Sequence, residues 1–209
     1  MSSRHCPAKV IDGKGIAAVA VMKFNLGTSS EKRLVNDIRK RDNAAIKKLY
    51  DTWSGYLFAL CRRYISDKDI AEDILQESFM KIISSVGSFE WKGEGSLKAW
   101  MSRITVNEAL QYLRKQKKCS FVEYTDNLPD TDDAPDPDVS RIPQQVIMDK
   151  IRGLSDGYRT IFNLYVFEGK SHKEIADMLG ITESTSASQY HRARKILAKE
   201  LTEYMKRES

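Results

Sequence analysis

The chain has 209 residues, 41% of them hydrophobic and 30% charged. That composition excludes collagen-like, low-complexity and globally disordered classes, and the length suits one large or two small domains, each able to bury a core. The formal charge of +5 is unevenly spread: residues 1–118 sum to +9, residues 119–143 to −6 and residues 144–209 to +2. Basic blocks on either side of an acidic bridge point to a chain that binds a polyanion and keeps its bridge away from it, or uses the bridge as a mimic. Charge by itself leaves nucleic acid and a membrane surface both open.

Residues 1–28 match no helix or strand pattern and read as a disordered extension, with Met22 a second candidate start. The longest apolar run there, Ile16–Met22, has seven residues, against about twenty for a membrane span. Lys23-Phe24-Asn25 is not a small-residue cleavage site. The expectation is a cytoplasmic chain with no membrane insertion. Three scattered cysteines, Cys6, Cys61 and Cys119, imply no disulfide framework. His5 and Cys6 have no second cluster to complete a metal site, so neither metal nor cofactor is expected.

A first domain is expected over residues 29–118. Leu34–Ile38 forms a weak leading helix. From Asn43, the apolar residues Ile46, Leu49, Tyr50, Trp53, Leu57, Leu60, Cys61 and Tyr64 recur at three- and four-residue steps. Ser66-Asp67-Lys68 breaks that stripe. A second runs through Ala71, Ile74, Leu75, Phe79, Ile82, Ile83 and Val86. Phe89–Gly95 holds two glycines and no period, so it is a loop. A third stripe carries Leu97, Trp100, Met101, Ile104, Leu110 and Leu113 and ends in the basic tract Arg114–Lys118. Strand alternation is absent. The proline-rich, acidic segment 119–143 cannot bury enough to fold alone and is expected to be a linker.

A second helical domain is expected over residues 144–209. Val146, Ile147, Ile151 and Leu154 pattern its first helix, and Ile161 to Phe167 the next. Ser171-His172-Lys173-Glu174 is a capping box, opening a short helix with Ile175, Ala176 and Leu179. Gly180 turns the chain, and Thr182 is placed to cap a longer helix reaching about Tyr204. A short helix, a glycine turn and a longer basic helix read as a helix-turn-helix. The fold class is therefore all-α, two small helical domains joined by an acidic flexible linker.

On the longer helix Ser186, Tyr190, Ala193 and Leu197 share an inward stripe. Ser184, Thr185, Ala187, Ser188, His191, Arg192 and Lys195 fall on the other side. Small polar residues near the N-terminus suit base edges in a major groove, and cations farther along suit phosphates. In the first domain, Phe89, Trp91, Lys92, Lys98, Trp100, Arg103, Asn107, Tyr112 and Arg114 combine rings for base stacking with cations for a backbone, as unpaired DNA requires. Asp69, Glu72, Asp73, Gln76 and Glu77 form an acidic helix face that would repel DNA; it suits either solvent or a protein partner. The acids at 69, 72, 73 and 77 are the nearest thing to a catalytic metal cluster. His5, His172 and His191 stand in separate segments, so catalysis is not expected.

Three stretches together resemble the extracytoplasmic-function (ECF) sigma factors, the two-domain branch of the bacterial sigma-seventy family. They are Asp69-Ile-Ala-Glu-Asp-Ile-Leu-Gln-Glu-Ser-Phe79; Trp100-Met-Ser-Arg-Ile-Thr-Val-Asn107 with Arg114; and Glu174-Ile-Ala-Asp-Met-Leu-Gly-Ile181 with His191-Arg-Ala-Arg194. The likeness covers about residues 33–201. It implies that the acidic face, Asp73 and Glu77 above all, docks on the clamp helices of the largest subunit of core RNA polymerase. It implies that the aromatic-basic loop and helix melt the −10 element as single strands, with Lys98, Trp100, Arg103, Asn107 and Arg114 carried over. The helix-turn-helix would read double-stranded −35 DNA through Ser188, His191 and Arg192 while resting on the polymerase flap, the linker would thread toward the active-site and RNA-exit channels, and an anti-sigma factor would be a partner. Gln111 and Ser186-Ala187 depart from the family pattern, so no −35 sequence is transferred. The rival reading is an autonomous helix-turn-helix regulator whose first domain senses a ligand or dimerises.

Overall fold

The computed structural model describes residues 28–116 and 138–208. The described residues fall into two compact units with the acidic segment between them in sequence. They are all-helical, with no strand among them. The expected extension over 1–28 lies outside them except for Thr28, as do Cys6, Cys119 and most of the proposed linker.

The first unit contains α1 (Thr28–Arg39), α2 (Asn43–Tyr64), α3 (Lys68–Ser85) and α4 (Ser96–Lys115). Asp42 and Asp67 cap α2 and α3, each accepting backbone N–H groups of the first turn. α2, α3 and α4 pack on one another, and α1 lies across α2 and the 3-10 turn Val86–Ser88. Trp53, Leu57, Leu60, Tyr64, Ile74, Ile82, Leu97, Met101 and Leu110 are almost wholly buried between them. Cys61 is buried too, and its desolvation pushes the thiol up to about 12, so it stays protonated and inert. Lys81 on α3 reaches the nearly buried Glu108 on α4 at 2.6 Å, joining the two helices through a charge pair.

One expectation from periodicity is corrected here. Tyr50 sits on the stripe in sequence yet is 47% exposed, its ring lying 4.8 Å from that of Phe79. It flanks the core at its edge, against Phe79. Glu31, a charged residue in the first turn of α1, is buried. It falls three and four residues before Leu34 and Val35, on the face α1 turns inward.

The second unit contains α5 (Gln144–Gly153), α6 (Asp156–Val166), α7 (His172–Leu179) and α8 (Glu183–Glu208). α8 is its backbone: α5, α6 and α7 all pack against it. Ile147, Ile151, Leu154, Phe162, Val166, Ala193, Leu197 and Leu201 make one core, which also takes in Val139 and Ile142. The last residues of the segment read as linker thus belong to this unit. Asp138 caps the 3-10 turn Val139–Arg141 and aims both apolar side chains inward.

Candidate nucleic-acid interface

The loop after α3 is shaped by its glycines and by Ser96. Gly93 and Gly95 have φ of 119° and 80°, a backbone region open to glycine at little strain. The Ser96 hydroxyl accepts from Lys92 N–H at 3.2 Å and donates to the Gly93 carbonyl at 2.6 Å, closing the turn into α4. Between this loop and α4 lies a cleft of about 590 Å³, lined by Phe89, Lys92, Ser96, Trp100 and Arg103 among others. Phe89 is 3% exposed and forms the floor, whereas Trp100 is half-buried with its ring centroid 5.0 Å away. Of the two aromatics, Phe89 is the core residue. Trp100 keeps a face toward solvent.

α4 presents Trp100, Arg103, Asn107 and Arg114 within roughly 60° of one another around its axis. The last three are exposed. The structure therefore brings these four expected −10 contacts onto one stripe beside the cleft. Lys98 is elsewhere. It lies roughly 160° round the helix from Trp100, with its Nζ 4.4 Å above the Tyr56 ring. Burial there, and then Arg63, lower its pKa. Trp91 is half-buried and Lys92 exposed at the outer side of the loop.

On α3, Asp69, Glu72, Asp73, Gln76 and Glu77 are all exposed and share one face. Among the described residues, only Glu72 pairs with a cation there, Lys68 at 3.6 Å. Met80, 64% exposed, continues the same face at the C-terminal end. An apolar side chain beside uncompensated acids is a poor DNA surface and a good protein one.

In the second unit the capping box forms as expected. Ser171 Oγ accepts from Glu174 N–H at 3.2 Å, and the Glu174 carboxylate accepts from Ser171 N–H at 2.9 Å. Gly180 takes φ 69° and ends α7, and Thr182 Oγ1 accepts from Thr185 N–H at 3.0 Å to start α8. Ser184, Ser188 and His191 are exposed on α8, with Arg192 and Lys195 partly exposed alongside. Thr185 is the correction: it is 8% exposed, turned inward to share a hydroxyl contact of 2.7 Å with Thr182. The pattern of two hydroxyl residues in a row hid which one faces out. Gln189 is buried as well, at 4%.

The two helices of the turn are also joined by an aromatic cluster that the periodicity did not single out. The His172 ring stacks on Tyr165 at 4.6 Å, Tyr190 lies 4.4 Å from Tyr165, and His172 Nδ1 is 3.0 Å from Ser186 Oγ. Burial lowers the pKa of His172 from 6.5, partly opposed by Glu183. The folded unit thus disfavours the imidazolium, so the unfolded chain binds more protons just below 6.5. Its stability is fully present above that pH and is expected to decline as pH falls below it. Urea unfolding between about pH 7.5 and 5.5 checks this, and His172→Gln should flatten the dependence.

Comparison with known proteins accords with this arrangement. Residues 49–119 match the family model described as Sigma-70 region 2, and residues 144–197 the one described as Sigma-70, region 4. The ECF RNA polymerase sigma-E factor of Haemophilus influenzae is 28% identical over 187 residues, 84% of this chain and 97% of that protein. RNA polymerase sigma factor SigZ of Bacillus subtilis is 30% identical over 149 residues, 71% of this chain and 82% of its own. Among solved structures, the sigma factor RpoE in complex with the anti-sigma factor NepR from Bartonella quintana is 27% identical, covering 75% of this chain and 96% of that one, at a TM-score of 0.44. Region 2 followed by region 4, with relatives aligned across most of both chains, places this protein in the sigma-seventy family, as an RNA polymerase sigma factor of the ECF branch.

Proposed function

We propose that the two units divide a promoter between them. The unit over 29–118 docks on core RNA polymerase and opens the −10 element, and the unit over 144–209 holds the −35 element as duplex. The observation that carries the reading is the cleft in which half-exposed Trp100 rests on buried Phe89, rimmed by Lys92 and Arg103. An unpaired base needs a ring to stack on and a cation for the adjacent phosphate, and this cleft offers both. Trp91, Asn107 and Arg114 extend the same surface. Asp69, Glu72, Asp73, Gln76 and Glu77 are the polymerase-facing side, meeting the clamp helices. Ser184, Ser188, His191, Arg192 and Lys195 face the −35 groove, with Thr185 beneath them as support and the polymerase flap behind.

The chain itself performs no bond-making chemistry in this reading: it supplies base capture and positioning to the polymerase, in the cytoplasm where that enzyme works. An anti-sigma factor that masks one of these surfaces completes the set of partners the family resemblance implies. No helix among the described residues is long and apolar enough to cross a membrane.

Run-off transcription with purified bacterial core polymerase on a library of upstream regions tests the assignment. Initiation that depends on this protein supports it and returns both promoter elements. Silence without core binding overturns it in favour of the stand-alone regulator. Arg192→Ala is expected to weaken duplex −35 binding by the holoenzyme and to lower the slope of log affinity against log salt by about one. An unchanged slope removes Arg192 from the phosphate contacts.

A further inference from the structure

α1 ends at Arg39, ten residues before the region 2 match begins, yet it grips the base-capturing loop at both ends. At the near end the Arg39 guanidinium donates Nε–H to the Val86 carbonyl at 3.3 Å and an Nη2 hydrogen to the Phe89 carbonyl. At the far end the Glu31 carboxylate accepts from the Trp91 indole N–H at 3.4 Å and from the Gly95 backbone N–H. Lys32, next along α1, holds its ammonium 5.6 Å from the centre of the Trp91 ring.

A carboxylate in this place is costly. Glu31 is 3% exposed, and desolvation raises its pKa above the ordinary carboxylate range despite both hydrogen bonds. Packing alone would be better served by an apolar side chain of the same length. What the carboxylate adds is an acceptor for two N–H groups four residues apart in the loop, one on a side chain and one on the backbone that turns into α4. Between these anchors stand Phe89, Lys92 and the rim of the cleft.

We infer that Glu31 and Arg39 are positioning residues for promoter opening: they fix the Phe89–Gly95 loop so that Trp91 and the Phe89–Trp100 floor meet an unpaired base in one geometry. The inference rests on the assignment of that loop to −10 DNA. Neither residue touches DNA. Each acts through the loop, the arginine by holding the Phe89 carbonyl that opens it and the Val86 carbonyl of the turn before it, the glutamate by holding its tryptophan and its closing turn.

The test uses holoenzyme assembled from the full chain and core polymerase, with a fluorescent single-stranded oligonucleotide carrying the −10 sequence returned by the run-off library. Glu31→Ala is expected to weaken capture of that strand about tenfold, the scale of losing a buried charged acceptor. Glu31→Gln, whose amide oxygen still accepts both N–H groups, should stay within about twofold of wild type. Core affinity should be the same for all three. If Glu31→Ala does not fold, Glu31→Asp withdraws the acceptor by one methylene while keeping the charge, and the same loss is expected of it. Equal capture by the alanine or aspartate variant and the wild type overturns the inference. So does equal loss in the glutamine variant, or a fall in core affinity in step with DNA affinity, since α1 would then support the whole unit rather than the loop. A wild-type holoenzyme that ignores the strand overturns the −10 assignment itself, and the positioning role with it.

Discussion

Trp100→Ala is expected to lower open-complex formation by roughly tenfold to a hundredfold while leaving core-polymerase binding unchanged. The magnitude follows from base–aromatic stacking, about 1–3 kcal/mol for each base trapped, set against the similar cost of unstacking that base from the duplex. Removing the ring tips the balance back to closed DNA. Trp100 is half-exposed above buried Phe89, so the truncation opens a wider cleft and leaves the floor in place. The acids taken to face the polymerase lie on α3, not on α4, so their presentation is untouched. Permanganate reactivity of unpaired thymines near −10 reads the result directly. Trp100→Phe, which keeps a stacking face, should recover most of the opening. Opening that survives the alanine change would make Trp100 a packing residue and shift base capture to Trp91.

The sequence announced most of the helices well because they carry apolar stripes, and four of them also have a side-chain cap: Asp42, Asp67, Ser171 and Thr182 all sit where the pattern puts a start. The helix-turn-helix was legible for the same reason, its turn needing a residue at positive φ that Gly180 supplies. What resisted was the polar interior. Glu31, Glu108 and Arg159 are charged and buried, and periodicity assigns charged residues to the outside. Their partners lie at sequence separations from three to sixty residues, or on backbone atoms that no residue pattern marks. Lys98 misled for a related reason. It shares a helix and a charge with Arg103 and Arg114, but its angular position carries it onto Tyr56. Spacing, more than residue type, decided which cations joined the cleft.

The candidate site divides along the same line. The exposed stripe on α4 and the exposed face of α3 follow from helical geometry applied to the sequence. The loop conformation does not. It depends on Arg39 binding carbonyl groups and on Ser96 tying Lys92 to Gly93. Both are backbone recognitions between segments with no shared period. Functional loops on rigid helices are commonly built this way, since the loop has no ladder of its own to fix it.

Arg159 offers the largest expected effect on stability. It is 2% exposed in the second unit, where its Nη1 donates to the carbonyls of Arg152 at 3.0 Å and Leu154 at 2.8 Å, and its Nη2 pairs with Asp156. These bonds gather the end of α5, the turn into α6 and the first residue of α6 around one guanidinium. Arg159→Met retains most of the side-chain volume and removes every donor. Two carbonyl groups and a partly covered carboxylate then lose their shared partner, and a loss of about 3–5 kcal/mol is expected, on the scale of breaking a buried ion pair. The full chain serves as its own reference in hydrogen-exchange mass spectrometry. Amides of α5, α6 and α8 should exchange faster by two orders of magnitude or more, whereas those of α2 and α4 should hold their protection. Arg159→Lys should recover little, because an ammonium cannot span both carbonyl groups and the carboxylate in the planar fork they require. Loss of protection in both units alike would mean that they unfold together, and unchanged protection in α5 and α6 would show that packing alone holds the turn.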